Sequence, residues 1–173
     1  MDKRIARIYR PKVVKFVLNT WPPFWGAGIK ITEISEDFRQ VSVTLKFRWW
    51  NKNANRSHYG GSIFSMTDSI YSLMLMGILR EQYFVWDREA SINFVKPGVS
   101  DLQADFTISQ NQLNEIQAQT ALGDKHFPEF VTHVKDQEGQ VVATIQRKLY
   151  VRRKPKYRQQ EVVDNLERKT SLS

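Results

Sequence analysis

Asp68 is the only charged residue between Arg56 and Arg80, and it stands seven residues after the glycine pair Gly60-Gly61. The glycines lie where a polar loop enters a long apolar stretch. If that stretch is a helix, its first turn carries unpaired N–H groups and a positive dipole end, where a ligand carbonyl or an anion can sit. On a regular helix, residues seven apart are rotated by only about 20° and lie about 10 Å apart along the axis. Gly61, Ser65, Asp68 and Ser72 then form one stripe. Small serines around a single carboxylate describe a narrow polar slot in a mostly apolar surface. The structural alternatives are a modestly exposed amphipathic face, an aspartate bonded to neighbouring backbone, and glycines that serve a turn or tight packing.

The elements that must hold these residues follow from patterning. Gly61 to Leu79 contains eleven large apolar residues and no proline, and reads as one long buried helix. Before it, Ile29–Ser35 and Gln40–Arg48 are strand candidates; in the second, Val41, Val43, Leu45 and Phe47 share one face. After it, Tyr83–Val95, Leu102–Ser109, Phe130–Lys135 and Gln140–Arg152 also read as strands, with a helix over Asn111–Leu122 and a hairpin loop at Asp136–Gly139. Lys96-Pro97-Gly98 supplies a bend. The expected class is α+β, with an antiparallel sheet of about six strands wrapped around one helix. So small a sheet has edges to cover, which favours a homo-oligomer that continues it.

The 173 residues suit one domain with tails: a helical segment at 1–20 restarted at Pro11, a domain at 21–153, and a basic, mobile tail at 154–173. There is no cysteine, which excludes disulfides, thiol catalysis and Cys-ligated metal centres. His58, His126 and His133 lack metal-ligand spacing, so no metal site is expected. The net charge of +8 suits an anionic partner. No nucleic-acid motif accompanies it: Trp49 and Trp50 are flanked by Arg48 and Lys52, but as adjacent strand residues they would point to opposite faces. The apolar run at 62–79 is interrupted by four serines, Thr67, Asp68 and Gly77, so stable membrane insertion is not expected and the location is read as cytoplasmic.

The same residues resemble the hotdog-fold acyl-CoA thioesterases, especially the phenylacetate-pathway type and a branch labelled tetrameric thioesterase. Asn53 lies eight residues before Gly61, Gly60-Gly61 opens the helix, and Asp68 follows at the family's spacing. Asn19, Trp21-Pro22-Pro23, Gly26–Gly28, the Ile92–Gly98 turn and Gly139–Ala143 extend the resemblance over roughly residues 15–153. The resemblance implies hydrolysis of an acyl thioester, with coenzyme A or an acyl carrier as part of the substrate and no separate cofactor. It further implies that the Gly60 N–H, with Gly61, polarises the thioester carbonyl, that Asp68 is general base or nucleophile, and that Asn53 positions water or thioester. The site would be shared across a dimer or a dimer of dimers. Tyr59 replaces the motif's histidine, with His58 one place earlier. Ser65, Ser72, His58, Tyr59, Phe64, Arg56 and Lys96 are the expected substrate-binding residues. Arg56, Lys96 and Arg152–Lys154 are candidates for the phosphates, and Phe64, Met74 and Met76 for an acyl tunnel. A binder of acyl-CoA or fatty acid without turnover is the main alternative. A weaker one is association of the basic ends with nucleic acid or an anionic membrane.

Overall fold

The computed structural model describes residues 9–158. Residues 1–8 of the expected amino-terminal helical segment and the tail from 159 onward lie outside the described residues. Helix α1 (Pro11–Thr20) starts on its proline, whose missing N–H costs nothing in a first turn. It ends before Trp21 as expected, but Pro22 starts a second short helix, α2 (Pro22–Ala27), closed by Gly28 at φ 80°. Proline pairs stop one helix and can still open the next.

Strands β1 (Ile29–Ile34), β2 (Gln40–Leu45), β3 (Tyr83–Phe94), β4 (Leu102–Thr107), β5 (Lys125–His126), β6 (Glu129–Lys135) and β7 (Val141–Arg153) form one antiparallel sheet ordered β1-β2-β4-β6-β7-β3, with β5 beside β7. This is one strand more than expected, because β5 has only two residues and no pattern to read. Alternation does the rest. Val41, Val43 and Leu45 face Phe106, Ala104 and Leu102 in register, and all six are at most 1% exposed. Helix α5 (Gln110–Thr120) opens with Ser109 and Gln112 capping each other, with Leu113 and Ile116 in the core.

The sheet curls around the central helical segment, Gly60 to Gln82. Its length and composition would suffice to cross a bilayer, but most of it is buried against the sheet, where Met66, Ile70, Met74 and Leu75 are at most 1% exposed. The segment is not one regular helix. It comprises α3 (Gly60–Ser65) and α4 (Ile70–Leu79), separated by a turn in which Ser69 takes the left-handed conformation at φ 58°. Across the break, Thr67 N–H and Asp68 N–H bond three residues back instead of four, and the Thr67 and Ser72 hydroxyls donate to the carbonyls of Phe64 and Ser69. Hydroxyls that compete for helix carbonyls in this way loosen a helix locally.

The sheet's two edges are treated differently. At β1, Asn19 of α1 takes both the N–H and the C=O of Ile31, which blunts the edge. At the opposite end, β3 pairs along one side with β7 over nearly its whole length, with a bulge between Asp87 and Glu89. No described strand pairs with its other side.

Candidate active site

The loop before α3 is built by its own polar side chains. Asn53 Oδ1 accepts N–H bonds from Asn55 and Ser57, and Asn53 Nδ2 donates to Ser57 Oγ and the His58 carbonyl. Asn51 is buried and donates to the carbonyls of Ala27 and Lys46, while its own carbonyl takes the Tyr59 N–H. These bonds fix the entrance of α3. Ser62 N–H and Ile63 N–H return to the Tyr59 carbonyl, which leaves the Gly60 and Gly61 amides as first-turn donors with no intrahelical acceptor.

Gly60 lines a cleft of about 400 Å³ together with Asn53, His58, Phe94 and Lys96, among others. The approach is close: a Cβ on Gly60 would sit 3.0 Å from Phe94 Cζ, and one on Gly61 would collide with the Tyr59 ring. Tyr59 itself is 60% exposed, so where the resemblance expects a histidine there is a ring lying over Gly61. His58 is turned inward. Its Nε2 is 2.9 Å from the Ser100 carbonyl, its ring packs on Phe47, and its Nδ1 is buried without a partner. Burial pushes the His58 pKa down from its ordinary value, against the opposing pull of the Ser100 hydrogen bond and Asp101. Lys96 reaches the cleft wall but ion-pairs with Asp136 at 2.5 Å, a contact that holds the Asp136 carboxyl below its usual range. Arg56 is an exposed loop residue at φ 57°.

Asp68 is not in that cleft. It stands at the far end of α3, 56% exposed, with Oδ1 2.9 Å from Arg147 Nη1. No described residue bonds its Oδ2. Arg147 belongs to β7, on the face shared by Ile145, Leu149 and Val151, and only 3% of its side chain is exposed. Its Nη2 donates to the Phe64 carbonyl and to Thr67 Oγ1, and its guanidinium lies 4.5 Å from the Phe64 ring centre. The buried arginine thus occupies the carbonyl end of α3, where the helix dipole favours a cation, and projects one N–H through to the carboxylate. Arg147 belongs to no sequence motif named above. The available signal was a cation on the apolar face of an otherwise alternating strand.

The expected stripe is therefore divided. Ser65 and Asp68 are exposed, but the left-handed turn at Ser69 rotates Ser72 inward, where it is buried and donates to Asp87 Oδ2 at 2.8 Å. Phe64 lies against the Arg147 guanidinium; Met74 is wholly buried core, and Met76 is partly buried with its sulfur accepting from Tyr9. Of the phosphate candidates on β7, Arg152 donates to the Gly123 carbonyl and Arg153 lies against Tyr83; Lys154, which follows the strand, lies against Phe84. Trp49 and Trp50 are not strand residues: they form a 3-10 turn, Trp49–Asn51, with their rings edge-on at 5.7 Å.

No curated protein matches this sequence. Among solved structures, the chain is similar to a Pseudomonas aeruginosa protein of unknown function described as a probable thioesterase, with TM-score 0.76, 13% identity, and coverage of 84% of this chain and 99% of that one. It is also similar to a thioesterase from Haemophilus influenzae, with TM-score 0.62, 14% identity, and coverage of 82% and 90%. A third is the E. coli PaaI protein from the phenylacetic acid degradation operon, with TM-score 0.58, 17% identity, and coverage of 82% and 90%. Likeness at these identities is a likeness of fold, and the fold is the hotdog fold. Residues 10–151 match the family described as "Domain of unknown function (DUF4442)", and the chain belongs to that family.

Proposed function

We propose that this protein hydrolyses an acyl thioester of coenzyme A or an acyl carrier at a site shared between two copies of the chain. The carrying observation is the Asp68–Arg147 pair, which presents one carboxylate at the surface, oriented from below, with Oδ2 left for water or for the thioester carbon. Gly60 and Asp68 are eight residues apart, or about 12 Å along a helix. That is too far for both to touch one reacting carbon in the same chain. A second copy added antiparallel along the uncovered side of β3 would run the central helices in opposite directions and bring the Gly60 end of one toward Asp68 of the other.

In that arrangement the Gly60 and Gly61 amides receive the developing oxyanion, which the dipole of the helix favours. Asp68 either takes the proton of the attacking water or attacks the thioester carbonyl itself, forming a mixed anhydride that water then opens; the thiolate that leaves takes its proton from Asp68 in the first route and from solvent water in the second. Asn53 holds the loop that aims the amides, since its donors are used inside that loop. Ser65, His58, Tyr59, Lys96 and Arg56 border the path of the substrate.

Thiol release from a panel of acyl-CoAs tests the proposal. Wild type turns over at least one, and Asp68→Ala and Asp68→Asn lose at least about a hundredfold in kcat. Full rate in either variant sinks the catalytic assignment. The second reading, acyl-thioester binding without turnover, is favoured by Tyr59 in place of the motif histidine and by Asn53 being fully engaged; tight binding with no released thiol selects it.

A further inference from the structure

Four of the five tryptophans lie within residues 21–50, and all four are about half exposed or more. Two of them flank a groove of about 240 Å³ beside Gly28. Trp25 is 73% exposed; Trp50 is pinned by a hydrogen bond from its Nε1 to the Gly26 carbonyl, with the Arg48 guanidinium 6.0 Å from its ring centre. The remaining wall carries Lys30 and Lys46. Lys46 is held by Asp101 at 2.7 Å, whereas Lys30 makes no ion pair among the described residues and Arg48 lies over an indole rather than on a carboxylate. Two indoles and three cations lining one groove match a planar base that carries phosphates. The groove is concave and large enough for one end of a ligand, with the remainder lying outside it.

Its position relative to the active site adds a second constraint. Asn51 donates to the carbonyls of Ala27 and of Lys46, which lines the groove, and its own carbonyl accepts the Tyr59 N–H, so one buried residue links the groove's wall to the residue before Gly60. A ligand with a nucleotide at one end and a thioester at the end of a flexible arm spans both. Of the other cations named for phosphate, Lys96 is engaged by Asp136 and Arg152 by the Gly123 carbonyl.

We propose that the Trp25–Trp50 groove binds the 3′-phosphorylated adenosine diphosphate end of coenzyme A. This rests on the reading of the protein as an acyl-thioester enzyme, but its test does not need turnover. The full-length protein is titrated with adenosine 3′,5′-bisphosphate, coenzyme A and AMP, followed by calorimetry and tryptophan fluorescence. The bisphosphate and coenzyme A bind, AMP binds more weakly, and Trp25→Ala and Lys30→Gln each weaken the bisphosphate by about fivefold or more with unchanged melting temperature. In the kinetic arm, the same substitutions raise KM for acyl-CoA, and the penalty disappears when the substrate is shortened to an S-acylpantetheine. Unchanged affinity in Trp25→Ala, or no binding of either the bisphosphate or coenzyme A, overturns the inference. So does preference for single-stranded oligonucleotides or anionic vesicles over coenzyme A. Binding of the bisphosphate by a wild type that hydrolyses no acyl-CoA leaves the groove assigned and removes the hydrolase.

Discussion

Arg147 and Asp68 meet across the wall of the core: a guanidinium 3% exposed donates at 2.9 Å to a carboxylate 56% exposed. The partners therefore differ in what each loses when the other is removed. The arginine has its desolvation to offset, whereas the aspartate can turn to water.

Removing the carboxylate should cost stability because it strips the buried cation of its charged acceptor. Asp68→Ala is expected to lose about 1–3 kcal/mol, and Asp68→Asn less, since its amide oxygen can still accept. Replacing Arg147 by methionine removes the buried charge together with the need to pair it, and such swaps are often neutral. Arg147→Met should therefore keep a melting temperature near wild type while losing kcat, because Asp68 is no longer oriented. Thermal melts and thiol-release rates on the three variants check this; a fully active Arg147→Met would show that the pair only holds the fold together.

His58 makes stability depend on pH in a definite direction. Its folded pKa lies below the unfolded value of about 6.5, because burial opposes the charged ring. The unfolded chain then binds the proton more readily. The stability this neutral histidine contributes is fully present above the unfolded pKa and is lost as pH falls from there through the folded pKa. His58→Gln, which keeps a donor for the Ser100 carbonyl, should flatten that part of the curve. Melting temperatures of both proteins between roughly pH 7 and 5 supply the measurement; parallel curves would assign the acid sensitivity to other groups.

Two nearby glycines should respond oppositely to alanine. Gly28 has φ 80°, and a Cβ there would lie 2.9 Å from Asn51 Nδ2 and 3.1 Å from the Lys46 carbonyl. Gly28→Ala should cost about 1–3 kcal/mol and disturb Asn51, which orders both the groove and the Gly60 loop. Gly26 lies in α2 with open space around its Cβ position, so Gly26→Ala should be neutral or gain up to about 1 kcal/mol. Denaturant midpoints distinguish the two.

Much of the architecture was legible along the chain because its signals are local. Val41, Val43 and Leu45, or Leu102, Ala104 and Phe106, alternate with polar residues, and a strand with one covered face can bury them in only one register. Gly60-Gly61 before a long apolar run similarly located the helix entrance and the loop residues Asn53 and His58 that line its cleft. Asp68 could be singled out as the one charge in that run.

What surrounds Asp68 was decided by contacts distant in sequence. Arg147 is 79 residues away and Asp87 is 15 residues from Ser72, so neither pairing leaves a trace in local spacing. The left-handed turn at Ser69 divides a stripe that an unbroken helix would have kept whole, because the Thr67 and Ser72 hydroxyls and the Arg147 guanidinium compete for carbonyls that a regular helix would use internally. Residue type and periodicity therefore specified which face of each element is apolar and where a donor-rich helix end must lie. Only the folded chain determined which buried cation met the exposed carboxylate, since a desolvated charge takes whichever partner the packing brings within reach.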